Sequence, residues 1–185
     1  MRTFVALELS SQVHQALADV QAAMRASVRD ARWTKPEGTH LTLKFLGEAN
    51  PDQVTAIAAS LDVIAVRFQP FNLILGSVGA FPRLGSPTVL WVGLDASEPL
   101  FALHKAIEEA ISPLGFPSEK RPFKGHLTLA RLQGRSWPSD LRQRFLDSAS
   151  LCAGIVWEIN KVVLFRSELK PGGAVYSAIH ASSLG

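Results

Sequence analysis

His-Leu-Thr-Leu is spelled twice in this chain, at the head of "HLTLKFLGE" (40–48) and again in "HLTLAR" (126–131), 86 residues apart. An imidazole titrates near neutrality, so it serves as a base when neutral and as an acid when charged. A threonine hydroxyl donates a hydrogen bond to an anionic oxygen. Both stretches alternate like half-buried strands. The alternation puts His40, Thr42 and Lys44 on one face and Leu41, Leu43 and Phe45 on the other. In the second copy His126 and Thr128 stand opposite Leu127 and Leu129. Core packing accounts for the leucines but not for the paired polar residues. One such pair on a strand is ordinary, whereas two matched pairs point to two halves of one site.

Two imidazoles and two hydroxyls form a set suited to phosphodiester chemistry. An in-line displacement at phosphorus needs a base behind the entering oxygen and an acid beside the departing one. Hydroxyl donors hold the charge on the nonbridging oxygens through the transition state. The symmetry of the motifs leaves open which imidazole plays which part. No HExxH or CxxC spacing, P-loop, GxGxxG fingerprint or GxSxG elbow is present, so neither a metal nor another cofactor is expected.

The elements that must position these residues follow a repeat. Residues 3–9 read as a strand, 11–28 as a helix opened by serine, 40–46 as a strand, 51–66 as a helix started by Pro51, and 71–81 as a strand broken by glycine. The order then recurs: strand 88–95, capped helix 97–112, strand 126–131, helix 138–148 and strand 157–167. Thr3 and Thr88 lie 85 residues apart, Pro51 and Pro138 lie 87 apart, and Phe71 and Trp157 lie 86 apart. Two repeats are too few for a solenoid. They predict a pseudo-twofold pair of α+β lobes, with helices outside and a cleft between.

Composition agrees with a folded, mildly basic protein. Hydrophobic residues make up 47% and charged residues 19% of 185 positions, which excludes a disordered chain. The net charge of +3 permits an anionic ligand. Its distribution is more telling, because seven basic residues against the single acid Asp140 lie between Lys120 and Arg144, around the second motif. The lone cysteine, Cys152, excludes an internal disulfide and sits in an apolar stretch as a buried thiol would. No signal-peptide pattern and no membrane-length apolar run is found, so a cytoplasmic protein is expected.

At its two motifs the sequence resembles the 2H phosphoesterase superfamily, which is named for paired His-x-Thr-x motifs. More narrowly, it is similar to the bacterial and archaeal RNA 2′,3′-cyclic phosphodiesterases, first described as 2′-5′ RNA ligases. The opening "RTFVAL", "HLTLKFLGE", "RPFKGHLTLAR" and "LFRSELKPGGAVYSAI" (164–179) carry the likeness over nearly the whole chain. Gly125 departs from it, since the family commonly has proline before the second histidine. The resemblance implies one bilobal LigT-like domain of α+β class, with two antiparallel sheets flanking a central cleft. Its lobes would span about 1–81 and 88–167, followed by a closing hairpin at 164–180. The implied activity is metal-independent opening of a ribonucleoside 2′,3′-cyclic phosphate to a 2′-phosphate. His40 would protonate the departing 3′ oxygen, His126 would activate water, and Thr42 and Thr128 would hold the phosphate.

Arg131 matches a family arginine expected near the phosphate, but strict alternation places it with Leu127 and Leu129. It reaches the cleft only where the strand twists or ends. Phe4 could stack on a nucleobase or fill the core, and Arg121 could meet a phosphate or be solvated. For Lys44 a surface position is the simpler reading. Ser167 and Tyr176 match positions in the closing hairpin, where structural hydrogen bonding is explanation enough. Trp33 and Trp91 read as core, and His14 and His104 as surface or satisfied helix residues. The expected partner is an RNA or nucleotide with a 2′,3′-cyclic phosphate end, met by a monomer away from any membrane. Joining of RNA ends by the reverse reaction is the alternative within the same chemistry. A non-catalytic RNA-binding module built on the basic run is the alternative outside it.

Overall fold

A computed structural model describes residues 1–35, 38–171 and 173–185 as four α-helices and nine strands; the helices fall where the repeat predicts, and the strands include three beyond its six. Gly172, inside the expected closing hairpin, lies outside the described residues. The chain runs β1 (Arg2–Leu7), α1 (Ser11–Arg25), β2 (Arg32–Trp33), β3 (Leu41–Glu48), α2 (Pro51–Ala65) and β4 (Phe71–Phe81). It continues through β5 (Val89–Leu94), α3 (Glu98–Ile111), β6 (His126–Arg131), α4 (Ser139–Asp147), β7 (Val156–Ile159), β8 (Lys161–Lys170) and β9 (Gly173–Ser183).

Local chemistry sets the helix starts. Ser10 accepts from the Val13 amide and Ser97 from the Leu100 amide, each satisfying a first-turn N–H that has no partner within the helix. Asn50 and Gln53 form a reciprocal capping box ahead of α2, with Pro51 in the first turn. The cap of α1 is thus Ser10, one residue ahead of the serine at which the helix itself begins.

Two antiparallel sheets result, one ordered β3-β1-β8-β9 and the other β2-β6-β5-β4-β7. This order departs from the division into lobes 1–81 and 88–167. β4, the last strand of the first repeat, pairs with β5 of the second, while β8 of the second repeat pairs with β1 of the first. The expected strand 157–167 is in fact two, β7 and β8, which separate at Asn160 and join different sheets. Hydrophobic periodicity is local and carries no information on which strand will be the neighbour.

Residues of both sheets and all four helices share one apolar core, among them Leu17, Leu41, Ile57, Leu103, Leu127 and Phe145. A small second cluster of Phe4, Ala6, Val163 and Phe165 lies on the other face of the first sheet. Cys152 is buried, and loss of hydration pushes its thiol up to about 11. Among the described residues no helix is long and apolar enough to cross a membrane.

Candidate active site

The two motif strands share an irregularity that plain alternation hides. β3 pairs Leu41 with Leu7 and Thr42 with Ala6, then skips Leu43 and pairs Lys44 with Val5 and Phe45 with Phe4. β6 pairs Leu127 with Val92 and Thr128 with Trp91, then skips Leu129 and pairs Ala130 with Leu90 and Arg131 with Val89. Each strand therefore bulges at the fourth residue of its His-Leu-Thr-Leu, and the faces exchange beyond that point. Residues 45 and 131, the same place in the two repeats, turn to the side of the histidines and threonines.

This overturns the expected placing of Lys44 and Phe45, and it supplies the departure from alternation that Arg131 needs to reach the cleft. Lys44 is only 5% exposed and faces the helices, where its Nζ lies 2.6 Å from Glu108 Oε2 on α3 and 3.1 Å from the Pro117 carbonyl. Phe45, expected in the core, is 77% exposed. Arg131 leaves the leucine side and lines the cleft. The second bulge is held from behind. The Leu129 carbonyl accepts from the Thr34 amide at 2.9 Å, the Thr34 hydroxyl at 2.9 Å and the buried Gln21 amide at 3.0 Å.

A cavity of about 440 Å³ opens between the two sheets. Its walls bring together His40, Thr42, Thr128, Arg131 and Phe4, together with Ser167 and Tyr176 of the β8–β9 hairpin. Arg121 is not among the lining residues; it is exposed in the loop ahead of β6. His126 stands on the same face of β6 as Thr128, one step along and outside the lining. Among the described residues no cluster of His, Cys, Asp or Glu has the makings of a metal site.

Each imidazole is seated in an aromatic nest. His40 lies 4.3 Å from the Phe165 ring, 5.4 Å from Tyr176 and 5.9 Å from Phe4, centre to centre. Phe4 is itself stacked on Phe165 at 5.2 Å and is only 5% exposed, so it backs His40 and leaves little open face for a base. His126 meets Phe81 edge-on at 5.0 Å and Trp91 at 6.5 Å, with the Lys124 ammonium 4.3 Å from the indole centre. Trp91 is buried, as expected, but on the cleft side, and its six-membered ring occupies the space a side chain at Gly79 would need. Gly125 packs against Leu94 and Leu100, where an added Cβ would lie 3.0 Å from Leu94 Cδ1.

His126 Nδ1 bonds to the Lys124 carbonyl two residues upstream at 2.7 Å, and the Gly38 backbone, at the matching place, favours a charged His40. A carbonyl only accepts, so Nδ1 of His126 carries the proton and Nε2 is free to take another. Burial lowers both imidazoles from their ordinary value. The surroundings then part them. The Glu8 carboxylate favours a charged His40, whereas Lys124 and Arg131 disfavour a charged His126. His14 also bears on His40, and its Nδ1 is buried with no hydrogen-bond partner among the described residues, so it is neither the surface nor the satisfied residue expected. His104 is partly buried: it faces Glu108 at 3.7 Å and stacks on Phe123 at 4.1 Å. Glu8, Phe81 and Phe165 escaped the sequence reading, and each lies outside the strand that carries the histidine it serves.

Comparison with known proteins agrees with this arrangement. Residues 8–171 match the 2′-5′ RNA ligase superfamily. The RNA 2′,3′-cyclic phosphodiesterase of Archaeoglobus fulgidus is 32% identical over 177 residues, covering 95% of this chain and 96% of that one. The protein of the same name from Geobacillus stearothermophilus is 30% identical over 168 residues, 90% of this chain, which spans only 52% of that longer relative. The crystal structure of TT0787 from Thermus thermophilus superposes with a TM-score of 0.83 at 31% identity, covering 100% of this chain and 98% of that one. The Escherichia coli LigT complex with 3′-AMP shares the fold at a TM-score of 0.73 and 23% identity, covering 99% and 97% of the two chains. The chain belongs to the 2′-5′ RNA ligase superfamily of 2H phosphoesterases.

Proposed function

We propose that this protein is an RNA 2′,3′-cyclic phosphodiesterase that opens the cyclic phosphate to a 2′-phosphate without a metal. The observation that carries the reading is the pair of bulged strands: His40, Thr42 and Thr128 line one cavity between the sheets, and His126 stands beside it on the face of β6 that carries Thr128. The names of the Archaeoglobus and Geobacillus relatives support the substrate class.

His126 Nε2 takes a proton from water as its oxygen bonds to phosphorus. The bond from phosphorus to the 3′ oxygen breaks, and that oxygen receives its proton from His40. The Thr42 and Thr128 hydroxyls donate to the nonbridging oxygens, and Arg131 adds positive charge beside them. The electrostatics favour this division of labour over its mirror image, because Glu8 helps His40 keep a proton while Lys124 and Arg131 help His126 stay neutral. Joining a 5′-hydroxyl RNA to a cyclic phosphate is the same path reversed.

Incubation with RNA ending in a 2′,3′-cyclic phosphate, in the presence of a chelator, tests the reading. The expected product is the 2′-phosphate, and His40→Ala or His126→Ala lowers kcat by about 10²–10⁴-fold. A strict metal requirement, a 3′-phosphate product, or full activity in both variants refutes it.

A further inference from the structure

The cavity is longer than the chemistry at phosphorus requires. Thr42 is level with Ala6 of β1, and the lining continues to Arg2, four residues farther along that strand. At 3.3 Å per residue this is about 13 Å of sheet surface. Phe45 and Leu169 flank the far part, each 77% exposed. A single exposed apolar side chain is unremarkable on a protein surface. Here two of them share one cavity wall with a guanidinium, and the Leu43 bulge is what turns Phe45 out of the core. No carboxylate lines the cavity among the described residues, and Glu48, the register partner of Arg2, pairs with the Met1 amino group at 2.8 Å. Phe4, enclosed between Phe165 and Tyr176, is no substitute for this open aromatic face.

Exposed apolar side chains beside a guanidinium are complementary to an unpaired nucleotide. A base has a π-face for an aromatic ring at any sequence, and its phosphate accepts from a guanidinium. From this geometry we propose a second nucleotide subsite, for the residue on the 5′ side of the one bearing the cyclic phosphate. Its base lies between Phe45 and Leu169, and its phosphate meets Arg2. The inference rests on the proposed activity and narrows its substrate to single-stranded RNA ends of at least two nucleotides.

The test compares kcat/KM for a 2′,3′-cyclic mononucleotide and for a dinucleotide with the same cyclic end, alongside direct binding of the two corresponding 2′-phosphates. The dinucleotide should be favoured at least about fivefold, the lower limit of what stacking one base contributes. Phe45→Ala, Leu169→Ser and Arg2→Ala should each draw that ratio toward one, with Arg2→Ala also reducing its dependence on salt. Equal turnover of both substrates by the wild type, or variants that impair both alike, overturns the subsite and leaves the activity standing. Preferential dinucleotide binding that needs Phe45 and Arg2, without turnover of either substrate, refutes the activity and retains the subsite. Neither turnover nor preferential binding refutes both.

Discussion

Replacing Lys44 with methionine isolates the interaction that ties the first motif strand to α3. Lys44 is 5% exposed, and its ammonium lies 2.6 Å from the carboxylate of Glu108, a residue 8% exposed. Without Lys44 the carboxylate keeps the Glu119 amide at 3.3 Å but no longer faces a buried cation. Removing one partner of a buried pair typically costs about 3–5 kcal/mol, mostly the penalty of the uncompensated charge left behind. For a chain of this size that is roughly 6–20 °C in Tm. The same helix carries its own control, since Lys105 and Glu109 stand 3.8 Å apart with side chains 74% and 68% exposed. Lys105→Met should cost about 0–1 kcal/mol. Urea unfolding of Lys44→Met, Glu108→Leu and the double variant completes a double-mutant cycle. Because the double variant buries no lone charge, it should recover most of the loss. A cost below about 1 kcal/mol for Lys44→Met, or strict additivity in the cycle, refutes the account of this pair as a buried, mutually dependent unit.

The pH profile offers a second check. His126 must be neutral and His40 charged, so the acidic limb of kcat/KM reports His126 and the basic limb reports His40. Burial lowers both imidazoles, and the optimum should therefore fall below about pH 6.5, the ordinary imidazole value. Glu8→Gln should move the basic limb to lower pH and Lys124→Met the acidic limb to higher pH; the opposite pattern would exchange the roles. Thr34→Val removes a hydroxyl from the Thr128 and Leu129 carbonyls and should destabilise the fold by about 1–3 kcal/mol, read in the same urea titrations. By loosening the bulge that aims Arg131, it should also raise KM more than it lowers kcat, and an unchanged KM would show that Thr34 does not position Arg131.

The motif residues were legible because their types recur at one spacing, and the helices because caps and periodicity coincide. Lys44 and Phe45 were misplaced for a definite reason. In "LTLKFL" the apolar letters continue at the alternating positions after Leu43, so nothing in the pattern marks the extra residue. A bulge is specified by tertiary partners, here an anion on α3 for Lys44 and a cavity for Phe45. Arg131 shows the same effect in the other copy, where Gln21 and Thr34 supply the partners from distant parts of the chain. The surroundings of the imidazoles were hidden for a related cause, since Phe165 and Phe81 reach them only through pairings of β8 with β1 and β4 with β5.

The crossing of β4 and β8 between sheets has a mechanical result. A chain severed in the connection at 82–87 would separate β1 from β8 and β4 from β5, dividing β3 and β1 from β8 and β9 in one sheet and β2 and β4 from β5, β6 and β7 in the other. Neither fragment could then complete its own hydrogen-bonded ladder, so unfolding of one side removes a wall of the other. Melting should accordingly proceed in a single transition, and the spacing of the two histidines is protected from partial opening by the stability of the entire molecule.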